Sequence, residues 1–413
     1  MSVLRAFKGY RPTAELCSKV AALPYDVMSS AEAREMVKGD PYSFLHVDRA
    51  EIDLDPSVDI YSPEVYQKAA ENLNKMITDG IYIHDEKPCM YIYRLTMDGR
   101  SQTGLVACAS IDEYINNKIK KHELTREDKE QDRIRHVDTC NANTGPIFLT
   151  YRNRDDINAL IAEETAKTPV YDFVSEDGVG HTVWVIDDES KISALQAAFA
   201  QVPALYIADG HHRNASAVKV GLKRRGEGEY DKEAEFNFYL AVAFPDNQLK
   251  ILDYNRVVKD LNGMSESEYL EKISKDFDVK PENGTFKPDS ALTFGMYLGG
   301  KWYRLTAKDG SFNAADPVES LDVSILQNNL LAPVLGIGDP RTDDRIAFVG
   351  GIRGLGELVS LVDSGRAAVA FAMYPTSVEQ LMSIADAGKI MPPKSTWFEP
   401  KLRSGIFIHT LTN

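Results

Sequence analysis

Two strand-like runs, PCMYIYRLTM and RSQTGLVACASI, meet at Asp98-Gly99. An Asp-Gly pair between such runs is the sequence signal of a tight β-hairpin. A hairpin makes its two strands antiparallel, so a regular doubly wound parallel sheet is excluded. The expected fold class is therefore α+β, with a mixed sheet.

The rest of the chain supplies the helices. SSAEAREMVKG reads as a helix capped by Ser29 or Ser30, supported by Glu32 and ended by Gly39. SPEVYQKAAENLNKMITDG has Pro63 at its first helical position and an apolar stripe of Val65, Ala69, Leu73, Met76 and Ile77. The charged stretch after Lys120 is expected to be helical from about Thr125, with DDESKISALQAAFA a further helix. GPIFLTYR, HTVWVID, ALYIAD and NFYLAVAF read as strands, and Pro245-Asp246-Asn247 as a turn leading into another strand. From about residue 265 the mixture recurs on a smaller scale, from a capped helix SESEYLEKISKDF to a closing strand IFIHTL. VSILQNNLLAPVLG and SVEQLMSIADAG are helices of this part, and residues 391–405 a proline-broken loop.

Of 413 residues, 43% are hydrophobic and 26% charged, which is ordinary for a soluble protein with room for two domains. No apolar run is long enough for a transmembrane helix, and MSVLRAFKGYRP lacks the apolar core of a signal peptide. The expectation is a cytosolic protein with no membrane partner. A net charge of −15 argues against nucleic acid as a partner, which needs a cationic surface. Cys17, Cys89, Cys108 and Cys140 are widely spaced, so neither a disulfide framework nor a zinc knuckle is expected.

The chemistry concentrates at YIADGHHRNASAVKVG, where a strand is expected to end at Ala208 and a helix to start near His212. A helix N-terminus offers free N–H groups and the positive end of its dipole, and phosphate binds there. Gly210 permits close backbone approach, and Arg213 can clamp phosphate oxygens with two donors. His211 and His212 can donate to phosphate or exchange protons, and Asp209 can hold Mg²⁺ or orient a histidine. Alternatively, Asp209 is a plain helix cap beside packing histidines, or the pair belongs to a zinc site.

A second cluster, IKKHELTREDKEQDRIRH, opens with His122 and Glu123, a carboxylate placed to act as a general base. The bland reading of the charges that follow is a solvated helix with i,i+4 pairs. A third candidate is the loop PPKSTWFEPKLRSG, whose Lys394, Ser395, Thr396, Lys401, Arg403 and Ser404 can close over a ligand or simply form a tail. GIGDPRTDDRIAFVGGIRGLG has neither the P-loop nor the dinucleotide spacing and reads as turns around IAFVGG.

DGHHRNASA resembles the phosphate-binding motif of the ParB/sulfiredoxin-like superfamily, and KKHELT resembles the earlier HE pair of its free-serine kinases. Nearly the whole chain is similar to a family of unknown function, domain-of-unknown-function family ten-fifteen. FKGYRP, ALPYDVMS, GDPYSFLHV, HELTREDKEQDR, NTGPIFLTY, ADGHHR and MPPKSTWFEPKLRSG carry that similarity. The resemblance implies phosphate contacts from Asp209, Gly210, His211, His212 and Arg213, and Glu123 as base. It also points to Arg11, Tyr25 and Asp26. It implies a ParB/sulfiredoxin-like core over 1–262 and a C-terminal α+β region over 263–413 closing on the site. About 86 residues separate the two motifs, more than in the small serine kinases. The expected function is a small-molecule kinase using Mg²⁺ and ATP or ADP, with Glu123 and His212 catalytic and free L-serine the best acceptor. A nucleotide-operated regulator and a metal-dependent phosphohydrolase built on Asp209, His211 and His212 remain the alternatives. A nucleotide and a small molecule are the expected partners, and a homodimer is compatible with the sequence.

Overall fold

The computed structural model describes residues 3–412. They form two compact units. The first runs to Leu249 and resumes at Pro400; the second is Lys250–Glu399. The boundary thus lies earlier than 262, and the last stretch of the chain belongs to the first unit rather than to a C-terminal region.

The first unit is built on a nine-stranded sheet. Its strands are β1 (Leu4–Arg5), β2 (Met90–Met97), β3 (Arg100–Ser110), β4 (Ile119–Lys120) and β5 (Ile147–Tyr151). They continue with β6 (Tyr171–Val174), β7 (Gly180–Ile186), β8 (Leu205–Asp209) and β9 (Phe238–Pro245). The order across the sheet is β4-β8-β5-β9-β3-β2-β7-β6, with β1 on β3. β2 and β3 form the expected hairpin, with Met97 opposite Arg100. Asp98 and Gly99 both take positive φ (53° and 74°), as a two-residue turn that follows strand twist requires. The sheet is mixed: β8 on β4 and β9 on β5 are parallel, the other pairs antiparallel.

Its longer helices are α1 (Ser30–Met36), α2 (Pro63–Thr78), α3 (Glu127–Cys140), α4 (Asp155–Thr165), α5 (Glu189–Phe199) and α6 (His211–Arg225). Ser29 caps α1 through a full capping box with Glu32. Val65, Ala69, Leu73 and Met76 of the α2 stripe are buried. Alternate residues of the inner strands, among them Ile92, Leu105, Ala107, Leu149 and Ala241, with Trp184, Tyr239 and helical residues such as Leu195 and Phe199, make the main core.

The second unit has a six-stranded, wholly antiparallel sheet. Its strands are β10 (Tyr254–Val258), β11 (Phe277–Glu282), β12 (Thr293–Leu298), β13 (Lys301–Ala307), β14 (Ile346–Gly350) and β15 (Val369–Ala372), in the order β11-β13-β12-β15-β10-β14. Helices α7 (Glu266–Ile273), α8 (Gly354–Asp363) and α9 (Val378–Asp386) accompany it, α7 and α9 with capping boxes at Ser265 and Ser377.

The turn at Pro245-Asp246-Asn247 leads from β9 into a further strand as expected, and β10 belongs to the other sheet. Two local expectations change. VSILQNNLLAPVLG is not one regular helix: Asp322–Leu326 is α-helical and Gln327–Leu331 widens to a π-turn. The closing strand is reduced to His409–Thr410, paired with Ala142–Asn143, while Ile408 bridges Tyr10.

Candidate functional site

Parallel pairing assembles the site. Tyr206 of β8 lies opposite Lys120 of β4, so the two chains leave the sheet side by side. The segment after β4 carries His122 and Glu123, and the segment after β8 carries Gly210 and His211. Two motifs about 86 residues apart therefore meet at one sheet edge. The rings of His122 and His211 pack edge-on with centroids 4.4 Å apart. One ligating atom each of His122, Glu123 and His211 lie within 4.8 Å of one another.

The strand end and helix start each differ by one residue from expectation. β8 continues through Asp209, and α6 begins at His211. Gly210, not Asp209, is the N-cap residue; it has φ 89°, a value that strains any residue with a β-carbon. Asp209 is nevertheless tied to the turn, because its carboxylate accepts the Gly210 N–H at 2.9 Å. Its other oxygen meets Lys401 Nζ at 2.9 Å. Burial opposes the charge, but Lys401, Arg213 and the Gly210 N–H hold the carboxyl well below its usual range. Asp209 is thus a fixed anion between two cations.

Arg213 does not extend from the helix. Its guanidinium folds back under Gly210, and Nη1 donates to the Pro146 carbonyl at 2.9 Å. Gly145 sits between that guanidinium and Ser404; a β-carbon there would lie 2.8 Å from the serine hydroxyl. His212 Nε2 accepts the Arg126 backbone N–H at 3.0 Å, at the start of α3. His122 and His211 are 2% and 6% exposed. Neither ring nitrogen of His122, nor Nε2 of His211, makes a well-formed hydrogen bond, although His122 faces the Ile207 carbonyl. Burial lowers the His122 pKa to about 4, and burial with the neighbouring His122 pushes His211 down as well, so both rings are neutral at pH 7.

α3 is not the solvated helix of the bland reading. Glu130, Asp132, Arg133 and His136 are buried. The expected i,i+4 pairs are replaced: Arg126 pairs with Asp128, Arg133 with Asp132, Lys219 with Glu130, and Lys129 donates to Tyr61. Lys129, Asp132, Arg133 and His136, with Tyr25, Arg49, Tyr61 and Tyr66, line a small recess of about 60 Å³. Tyr25 links recess and turn: Arg133 lies 4.1 Å over its ring, and its hydroxyl feels both Arg133 and Arg213.

The remaining candidates lie elsewhere. Arg403 is buried among Asp177, Ser175 and His181, donating to Ser175 at 3.0 Å. Arg11 pairs with Asp85 at 2.9 Å and bonds Tyr171. Lys394, Ser395 and Thr396 belong to the second unit, where the Lys394 carbonyl accepts from Arg256 and the Ser395 hydroxyl donates to Pro392. Gly145 and Pro146 lie within NTGPIFLTY, and part of the recess within ALPYDVMS and HELTREDKEQDR, but apart from Tyr25 these residues were not expected at the site. Lys401 was visible only as one cation in a loop.

The family pattern described as "Protein of unknown function (DUF1015)" matches residues 4–324. The chain belongs to this family. No curated protein matches the chain. Among solved structures it is similar to a free serine kinase variant in complex with AMP, at 14% identity over 71% of this chain and 87% of that one, TM-score 0.38. A C-terminally truncated SbnI from Staphylococcus aureus is similar at 12% identity, over 72% and 85% of the two chains, TM-score 0.38. A conserved hypothetical protein from Pyrococcus furiosus is similar at 14% identity, over 73% and 94%, TM-score 0.36. Among the described residues no helix is long and apolar enough to cross a membrane.

Proposed function

We propose that this family member is a cytosolic phosphotransferase that moves a phosphoryl group from ATP or ADP to the hydroxyl of a small molecule, with free L-serine the best acceptor. One observation carries the reading: Glu123 is brought beside the N-terminus of α6, within 4.8 Å of His211, by the β4–β8 pairing. A base and an anion-binding turn are the two parts that phosphoryl transfer needs side by side. In this reading the core is ParB/sulfiredoxin-like.

The phosphates sit on the free N–H groups of α6, where the helix dipole favours negative charge. Arg213 and Lys401 are the cations that meet them, Lys401 by exchanging Asp209 for a phosphate oxygen. Asp209 is the carboxylate that would hold Mg²⁺, which would supply positive charge to offset that of the phosphate oxygens. Glu123 takes the proton of the acceptor hydroxyl. His212, whose Nε2 holds the first turn of α3, acts as a positioning residue rather than a proton donor at that atom. The recess beyond Tyr25 offers both signs of charge, Arg133 and Asp132, which suits a small zwitterion.

The test is a phosphoryl-transfer screen with Mg²⁺, ATP or ADP and a panel of hydroxyl amino acids, products read by mass spectrometry. Glu123→Gln is expected to keep nucleotide affinity and lose roughly 10²–10⁴-fold in turnover. Nucleotide binding with no product from any acceptor replaces the enzyme by a nucleotide-operated regulator. Loss of nucleotide binding in Glu123→Gln removes the base role.

A further inference from the structure

We propose that His122, Glu123 and His211 form a binding site for one divalent transition-metal ion of the zinc class, distinct from any magnesium that accompanies a nucleotide. The donor set is two imidazole nitrogens and a carboxylate oxygen within 4.8 Å of one another. Two imidazoles among three donors select zinc, cobalt or nickel over magnesium, which takes oxygen ligands. The fourth position of such an ion is left for water or an anion.

Two further features point the same way. Both imidazoles are more than nine-tenths buried, yet three of their four ring nitrogens have no well-formed hydrogen bond. Buried polar atoms are nearly always satisfied, and leaving one without a partner is destabilising. An ion between the rings would satisfy two of these nitrogens together. The backbone also fixes the placement: His122 follows β4 and His211 opens α6 directly after β8, and β4 and β8 are paired in parallel. Donors on a tetrahedral ion lie about 3.4 Å apart, inside the 4.8 Å limit that the three ligating atoms satisfy. Glu123 is only partly buried, whereas both histidines are buried.

One consequence rests on the proposed phosphotransfer: a metal-bound Glu123 carboxylate cannot also take a proton from an acceptor hydroxyl. Metal occupancy and turnover then exclude one another, and zinc inhibits the transfer.

Binding is measured on chelator-stripped full-length protein without nucleotide, so its outcome does not depend on the phosphotransferase reading. Calorimetry with Zn²⁺ is expected to give about one equivalent, and Co²⁺ to give the visible absorption bands of a four-coordinate site. His122→Gln and Glu123→Gln should each weaken Zn²⁺ at least tenfold. His84→Gln, which removes an exposed histidine, should change nothing. Circular dichroism checks that each variant is folded, and Glu123→Gln keeps the test alive if His122→Gln is not. No uptake by the unaltered protein overturns the proposal, as does uptake that both variants leave unchanged. Zinc binding without inhibition of a demonstrated transfer overturns only the consequence.

Discussion

The two units divide the chemistry unequally. All eight histidines and all four cysteines lie in the first unit, and residues 250–399 contain neither. The buried polar groups of the second unit are used as ties. Asn255 donates to Asp253 and accepts from the Met373 N–H, and Arg256 donates to the Tyr254 and Lys394 carbonyls. In the first unit His122 and His211 are buried without such ties, at the edge where two helices start. A polar group held by several neighbours stabilises a loop; one left unsatisfied at a helix N-terminus is available to a ligand. The cysteines are not part of that contrast, because burial pushes their thiols up, Cys89 to about 11, and keeps them protonated and inert.

Acid should separate the units most strongly. His181 is fully buried; desolvation, then the charge of Arg403, lower its pKa to about 3, against the opposing pull of Asp177. Tyr93 and Ser175 are its hydrogen-bond neighbours. In the unfolded chain the ring protonates near 6.5. Between 6.5 and 3 only the unfolded state binds this proton, so stability is lost as pH falls through that window. The loss from His181 is roughly 3 kcal/mol by pH 4, and His122, at about 4, adds a similar amount. Hydrogen exchange by mass spectrometry at pH 7 and 4.5, corrected for intrinsic rates, should show the first unit losing protection first. Earlier loss in residues 250–399 breaks the comparison.

The second unit should respond with the opposite sign through Asp322. Burial raises this carboxyl to about 6, although it accepts the Leu292 N–H at 3.0 Å. Above pH 6 the folded unit holds a charge that the unfolded chain holds at less cost, and the penalty is relieved as pH falls toward 4. Asp322→Asn keeps an acceptor and removes the charge. It should stabilise by about 2 kcal/mol at pH 7, and the gain should vanish near pH 4. Urea denaturation at the two pH values reads it directly.

The contrast between the units was only partly legible in the sequence. The β2–β3 hairpin was, because Asp98-Gly99 and two flanking runs define turn and register locally. The capped starts of α1 and α7 were, for the same local reason. The meeting of β4 with β8 was not: Ile119–Lys120 is two residues long and has no periodicity to reveal it. The return of Pro400 and beyond to the first unit was hidden too, since a proline-broken loop carries no signal of its destination. Hence the motifs at 122–123 and 209–213 could be read one by one, whereas Lys401 against Asp209 and Pro146 against Arg213 required the fold.

That hidden return can be tested at Lys401. Its side chain is 12% exposed and its ammonium faces Asp209, whose side chain is about one-third exposed, so solvent screens part of the pair. Lys401→Met keeps the apolar stem and leaves Asp209 with Arg213 and the Gly210 N–H. The expected loss is about 1 kcal/mol in thermal stability. A larger fall in nucleotide affinity than in stability would assign Lys401 to the phosphate site; equal falls would make it a structural tie.

The smallest effect is the most discriminating for the second unit. Lys394 holds φ 58°, in the left-handed region that favours glycine. Its carbonyl accepts from Arg256 and its ammonium lies 5.7 Å from the Tyr254 ring centroid. Lys394→Gly relieves the backbone but gives up the cation–ring contact and adds freedom to the unfolded chain. These oppose, leaving a net change of roughly 0.5 kcal/mol or less. If the loop is only scaffold, turnover in the phosphoryl-transfer screen is unchanged along with stability. If turnover falls while stability holds, the Lys394 side chain has a role beyond the scaffold of the second unit.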